Sequence, residues 1–337
     1  MRPLANANPE SLADAVERLE RGGGRAAAIG GGSDLLGMIK DDLASPDVLV
    51  SLRALAASDG LDAIVPGPAE LRVGGLVTLA RLSAHPEVAS RYRVLAEAAG
   101  SAATPQIRNV ATLAGNLCQR PWCWYFRQNF PCYKHGGNRC FSRTGENQFN
   151  AIFGGAPSYI VHPSDAAPAL VALDARFRLV GPGGERVVPA GAFFTLPRVD
   201  VTRENVLEPN EILADVTVPA APGLRSTYAK VLDREAWTHA VVSVALALQL
   251  EDDRVRRAGV VLGGVAPVPW RVAAVEDLLA GRAVTESLAA EAGRLAVDGA
   301  RPLPKNRYKV PLVENLVRRT LLSLAGSGQD PRQELAP

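Results

Sequence analysis

The stretch "AAAIGGGSDLLGMIK", residues 26–40, decides how this chain is read. Its first four residues form a short apolar run that fits a buried strand. The glycines at 30–32 make a tight turn, and Ser33-Asp34 is an N-cap signal for a helix carrying Leu35, Leu36 and Ile39. Glycine between strand and helix lets backbone N–H groups approach an anion, and the helix N-terminus adds roughly half a positive charge. The unit therefore has the form of a diphosphate cradle. Two common versions are excluded by spacing. A G-x-G-x-x-G fingerprint starting at Gly30 needs glycine at 35, where Leu35 stands, and no Gly-Lys-Ser/Thr of a P-loop is present. Taken alone, the same residues equally describe a tight turn and a capped helix.

Upstream, Leu12, Ala15, Val16 and Leu19 fall at helical spacing after Pro9-Glu10-Ser11. Downstream, "AIVPGPAELRVGGLVTLARL" reads as strand-rich and "YRVLAEAAGSAA" as a helix. The segment "PSYIVHPSDAAPALVALDARFRLVGPGGERVVPA" combines strand-like runs with a turn at residues 181–184. A loop-rich link follows over residues 193–210. The remainder alternates expected strands ("ILADVTVP", "AGVVLGGVAP") with expected helices ("HAVVSVALALQL", "VENLVRRTLLSL"), the pattern of an α+β domain. No internal repeat is found, and residues 326–337 have the composition of a disordered tail.

With 337 residues, 47% of them hydrophobic, the chain can bury a substantial core in two or three domains. Its 37 basic and 35 acidic side chains leave a net charge of +2, so no global field draws in nucleic acid or an anionic membrane. No run of about 18 uncharged apolar residues predicts membrane insertion, and the start lacks a signal-peptide pattern. Cytoplasmic synthesis is expected, with export alongside a signal-bearing partner open to a folded subunit.

All four cysteines, Cys118, Cys123, Cys132 and Cys140, lie within 23 residues, separated by four, eight and seven others. Clustering of this kind predicts a shared purpose. Disulfides need an oxidising compartment that nothing else signals, and structural zinc favours paired C-x2-C knuckles that are absent. An iron-sulfur cubane accepts irregular spacing because its corners are reached from different parts of a loop. Eight of the chain's 18 aromatics lie between Cys118 and Asn150, enough to shield a cofactor. Arg120, Arg127, Lys134, Arg139 and Arg143 arrive before any acidic residue and would balance an anionic cluster. The residues favour iron-sulfur, with a zinc site or no metal as open alternatives. His135 reads as a surface histidine.

A second small-residue loop, "TPQIRNVATLAGN", lies at residues 104–116. Together with "GGGSDLL", "RVGGLVTLARL", "PSDAAPALVALDA", "LEPNEILADVTVP", "YAKVLDR" and "KNRYKVPLVENLVRRTLL", in that family's order, the chain resembles the FAD-binding medium subunits of the xanthine dehydrogenase and molybdenum hydroxylase family. Ala114 stands where the family often has glycine. The resemblance implies an α+β fold: a two-lobed FAD-binding domain of the vanillyl-alcohol-oxidase type (residues 1–210, lobes about 1–55 and 56–210) followed by an α+β C-terminal domain (211–325). It implies that Ala28, Ile29, Gly30, Gly31, Gly32, Ser33 and Asp34 wrap the FAD diphosphate, and that Thr104, Thr112, Gly115 and Asn116 complete the cradle. Asp165 would bind the ribityl or ring region, with Leu213 and Lys230 facing the isoalloxazine. A cation such as Lys230 near the N1 and C2 carbonyl edge would stabilise the anionic reduced ring.

A cysteine-bearing insert, here residues 117–150, resembles that of the iron-sulfur-containing FAD subunits of bacterial aldehyde oxidoreductases and implies a [4Fe-4S] cluster on Cys118, Cys123, Cys132 and Cys140. Also implied are a large molybdenum-cofactor partner, a small [2Fe-2S] partner and oxidation of aldehydes or N-heterocycles in the large one, with no catalytic acid or base needed here. A free-standing flavin oxidoreductase and a zinc-stabilised interaction module are the rival readings. Against the first, His85, His135, His162 and His239 form no recognisable constellation in sequence.

Overall fold

The structure is a computed structural model that describes residues 3–234 and 239–326. Three sheets organise it. The first joins β1 (Ala5–Ala7), β2 (Ala26–Ile29) and β3 (Val48–Ser51) as parallel strands in the order β1-β3-β2. The second is antiparallel, built from β4 (Ile64–Pro66), β5 (Glu70–Gly74), β6 (Arg176–Gly181), β7 (Gly184–Pro189) and β8 (Ile212–Pro219) in the order β4-β5-β8-β6-β7. The third, also antiparallel, runs β12-β11-β10-β9, from β9 (Leu224–Val231), β10 (Val242–Glu251), β11 (Arg254–Gly263) and β12 (Trp270–Arg271).

The helix Leu12–Gly22 starts where Ser11 caps it and buries Ala15, Val16 and Leu19 against the first sheet. It stops at Gly23, whose φ of 55° is the left-handed conformation that ends helices. β8 has a pivotal position. Ile212 and Ala214 belong to the core of the first lobe, whereas Leu213, Val216 and Val218 belong to that of the second. The expected boundary after residue 210 thus precedes the strand that completes the second sheet.

Two local expectations are corrected. "HAVVSVALALQL" is not a helix: its Val242–Glu251 portion is β10, central between β9 and β11. Val242, Val244, Leu246 and Leu248 face the C-terminal core, while Ala245 and Ala247 face the core of the second lobe. A strand buried on both sides shows no alternation, so its apolar run mimics a buried helix. Likewise the end of the "strand-rich" segment, Leu79–Ala84, is a helix capped by Thr78. The hairpin of β6 and β7 turns at residues 181–184 as read.

The two portions of the chain meet across the helix Ala166–Ala172, every residue of which is buried. Its approach to β11 is close. A Cβ on Gly259 would lie 2.2 Å from the Ala172 carbonyl oxygen, so the residue there must be glycine. The helix Lys309–Ala325 covers the far face of the third sheet with Val313, Leu316, Val317 and Leu321. Apart from Gly326, the expected disordered tail lies outside the described residues. Among the described residues no helix is long and apolar enough to cross a membrane.

Candidate functional site

The glycine turn after β2 lies directly on the second small-residue loop. A Cβ on Gly31 would stand 1.8 Å from the carbonyl oxygen of Val110, and one on Gly30 would meet Leu76 and Thr112 at 3.0 and 3.2 Å. Gly32 has a φ of 74°, which favours glycine. The second loop is held in turn: Thr112 caps the helix Leu113–Cys118 through the Gly115 N–H at 3.2 Å, and Ala114 donates its N–H to Gly75 at 2.9 Å. The two loops and β8 enclose a cleft of about 250 Å³.

Ala28, Ile29, Gly30, Gly31, Gly32, Ser33, Asp34, Thr112, Gly115 and Leu213 all line this cleft. Four other expected residues lie outside its lining. Thr104 caps the short helix Pro105–Arg108. Asn116 accepts a hydrogen bond from the Ser164 hydroxyl at 2.6 Å. Asp165 and Lys230 form a buried ion pair at 2.8 Å, and the Lys230 ammonium also donates to the Ser101 carbonyl. Tyr228, which sequence reading missed, donates to the other Asp165 oxygen at 2.6 Å. Burial beside that carboxylate raises the phenol well above its ordinary range. Tyr228 and Lys230 stand two apart on β9 and share one face, the spacing that could have revealed the pair. His162, buried edge-on against Phe194, is held down to about 4 by desolvation.

Asp34 does not cap its helix, contrary to the sequence signal. Its carboxylate takes the Arg120 N–H at 2.9 Å and the Arg127 guanidinium at 2.8 Å, both from the cysteine loop. Deeper in that loop the buried Glu204 pairs with Arg120 at 2.5 Å and Lys134 at 2.6 Å. Burial lowers Lys134, partly offset by Glu204.

Cys123, Cys132 and Cys140 each begin a short helical turn, at Trp124–Arg127, Tyr133–His135 and Phe141–Arg143. Burial pushes the Cys123 thiol up, the backbone N–H groups of Phe126 and Tyr125 pull it down, and the nearby Cys140 and Cys132 add to the rise. Cys132 and Cys140 thus lie near enough to Cys123 to act on it. Cys118 stands apart on the cleft wall, pushed up to about 12 by burial alone. Among the described residues no three Cys, His, Asp or Glu side chains gather closely enough to hold a metal ion. His135, read as a surface residue, stacks on Phe126 at 4.7 Å and bonds the Phe130 carbonyl.

A glycine cradle facing a second capped loop, closed by a strand from beyond, is a site built for a diphosphate-bearing ligand. Residues 3–221 match the family described as FAD binding domain in molybdopterin dehydrogenase, and residues 227–324 match the CO dehydrogenase flavoprotein C-terminal domain. The chain belongs to this family, the FAD-binding medium subunits of the molybdenum hydroxylases. It is 36% identical over 306 residues to the aldehyde oxidoreductase FAD-binding subunit PaoB of Escherichia coli strain K12, covering 89% of this chain and 90% of that one. It is 28% identical over 319 residues to the carbon monoxide dehydrogenase medium chain of Hydrogenophaga pseudoflava, covering 93% and 94%. A solved carbon monoxide dehydrogenase from that organism, lacking the Mo-pyranopterin moiety, superposes with a TM-score of 0.76 at 26% identity, over 96% of this chain and 97% of that one.

Proposed function

We propose that this chain is the FAD- and [4Fe-4S]-carrying electron-transfer subunit of a multi-subunit molybdenum hydroxylase that oxidises aldehydes or N-heterocycles. Its partners in this reading are a large molybdenum-cofactor subunit and a small [2Fe-2S] subunit. The observation that carries the flavin part is the contact of Gly31 with Val110, which leaves room for a backbone cradle and none for a side chain. Ala28, Ile29, Gly30, Gly31, Gly32 and Ser33 present that backbone to the diphosphate, while Thr112 and Gly115 close the opposite wall. Leu213 supplies an apolar surface for the ring. Thr104, Asn116, Asp165 and Lys230 belong to this reading as well, although none of them lines the cleft and the Lys230 ammonium is paired with the Asp165 carboxylate. Likeness to an aldehyde oxidoreductase subunit supports the aldehyde alternative.

FAD supplies two-electron chemistry, and a cluster would supply a one-electron site beside it. Donor chemistry supports the cluster: Cys123, Cys132 and Cys140 share one basic, aromatic loop and each begins a short helical turn. Cys118, buried at the cleft wall, is the fourth thiol of the set and must approach the others for all four to bind. The compartment in this reading is the cytoplasm, with export as cargo of a signal-bearing partner as the second possibility.

The native complex tests this. Acid should release one FAD per chain, because neither diphosphate loop, residues 28–34 or 104–116, carries a cysteine or histidine for covalent attachment. About four irons with matching acid-labile sulfide should remain with this subunit. Replacing Cys123, Cys132 or Cys140 by serine should remove the iron and leave FAD, since serine is a harder ligand that such clusters accept poorly. One zinc and no sulfide would sink the cluster.

A further inference from the structure

Asp34 occupies the N-cap of the helix Leu35–Lys40, a place where a carboxylate ordinarily bonds its own helix, yet it makes no such bond. Both oxygens instead reach residues 86 and 93 positions later in the chain. Arg127 spends the rest of its fork on the loop itself, giving its Nε proton to Pro121 and a second Nη2 contact to Arg120, each at 2.9 Å. Its planar face lies 4.2 Å from the centre of the Trp122 ring. The Arg127 side chain is only 8% exposed and that of Asp34 19%, so water screens the pair far less than an exposed bridge. The Arg127 backbone N–H closes the turn that starts at Cys123, bonding the Cys123 carbonyl at 2.9 Å. One carboxylate, two residues beyond Gly32, is thereby tied through one guanidinium to the turn that holds Cys123. Both segments also contribute to the lining of one cleft, since Gln119 and Arg120 line it together with the glycine turn.

We propose that the Asp34–Arg127 pair is a latch coupling the cofactor cleft to the cysteine loop, so that FAD in the cleft shields Cys123 and a closed loop tightens FAD. The proposal rests on the assignment of the cleft to FAD and needs no cluster. A ligand touching both segments favours the arrangement in which they are joined, and by linkage the joined arrangement favours the ligand equally. Charge acts in the same direction. A diphosphate on the glycine turn would be repelled by a bare Asp34, and the Arg127 fork cancels that carboxylate.

The full-length chain, chelated and freed of FAD, would be treated with N-ethylmaleimide with and without saturating FAD. Modification of Cys123 would be followed by peptide mass spectrometry. FAD should slow it roughly tenfold in the natural chain. In Arg127→Met, and independently in Asp34→Asn, the factor should fall below about two with flavin still bound at saturation, and FAD affinity of Arg127→Met should drop by the factor lost. Absence of any FAD effect in the natural chain overturns the latch, as does full protection persisting in either folded variant. Gly31→Glu separates the two readings. If it binds FAD normally, the cleft assignment itself is wrong. If it loses FAD while Arg127→Met keeps full protection, the cleft stands and the latch falls.

Discussion

At Gly31 one missing methyl group separates a cradle from a blocked cleft. Its hypothetical Cβ meets a backbone carbonyl at 1.8 Å, which cannot rotate away as a side-chain tip could. Gly31→Ala should therefore lower FAD affinity by at least about tenfold, a loss of about 1.4 kcal/mol, measured by flavin fluorescence titration. Unchanged affinity would mean that the loops separate freely. Lys309 poses a different problem. Its ammonium is buried and, among the described residues, donates to the carbonyls of Phe149 and Gly264, at 2.9 and 2.7 Å, and desolvation lowers it to about 7 from 10.5. The folded pKa lies below the unfolded one, so between pH 7 and 10.5 the unfolded chain binds the extra proton. Stability should rise with pH across that window, by at most about 1.4 kcal/mol per pH unit. Denaturation of the natural chain and Lys309→Met from pH 7 to 9.5 should show their difference shifting in favour of lysine as pH rises. A constant difference would mean that Lys309 stays charged. Gly31 was legible as a glycine in a turn; Asp34 was legible as a cap and, by resemblance, as part of the cradle, but its bonds to Arg120 and Arg127 were not, because those residues lie far along the chain.

Among the elements, β10 best shows how burial on two faces hides a strand. Ala245→Asp faces one core and Leu246→Asp the other, and each should cost at least about 3 kcal/mol in urea denaturation. A strand exposed on one side would tolerate one of them, so a mild effect at either position would contradict the placement. The expected helices around residues 11–19 and 313–324 were readable because each carries apolar residues at helical spacing that end up buried. The cysteine loop lay at the other extreme. Its composition announced a special purpose, yet its turns follow no periodicity, and its geometry depends on Asp34, Glu204 and the chain beyond residue 300.

At the scale of the molecule, residues 301–309 grip the exit of the cysteine loop. Five successive carbonyls are taken up: Gln148 by Tyr308, Phe149 by Lys309, Asn150 and Ala151 by Asn306, and Ile152 by the Arg301 N–H. Asn306 is completely buried and also caps Leu303 at 2.7 Å. Asn306→Ala should cost about 2–3 kcal/mol by stranding these groups, and should speed hydrogen exchange at residues 146–153. Exchange confined to residues 301–309 would show that the grip is one-sided.

The sequence by itself determined that a glycine turn precedes a helix, that a second small-residue loop lies at residues 104–116, and that four cysteines share one basic aromatic segment. These are properties of neighbours in the chain, where backbone freedom, capping and composition act over a few residues. Only the tertiary structure decided that β10 is a strand, that β8 serves two cores, that Tyr228 joins Asp165 and Lys230, and that Asp34 binds the cysteine loop. Each of those outcomes depends on a partner dozens of residues away, and the free energy that selects it comes from burial and pairing that exist only once the chain has closed upon itself.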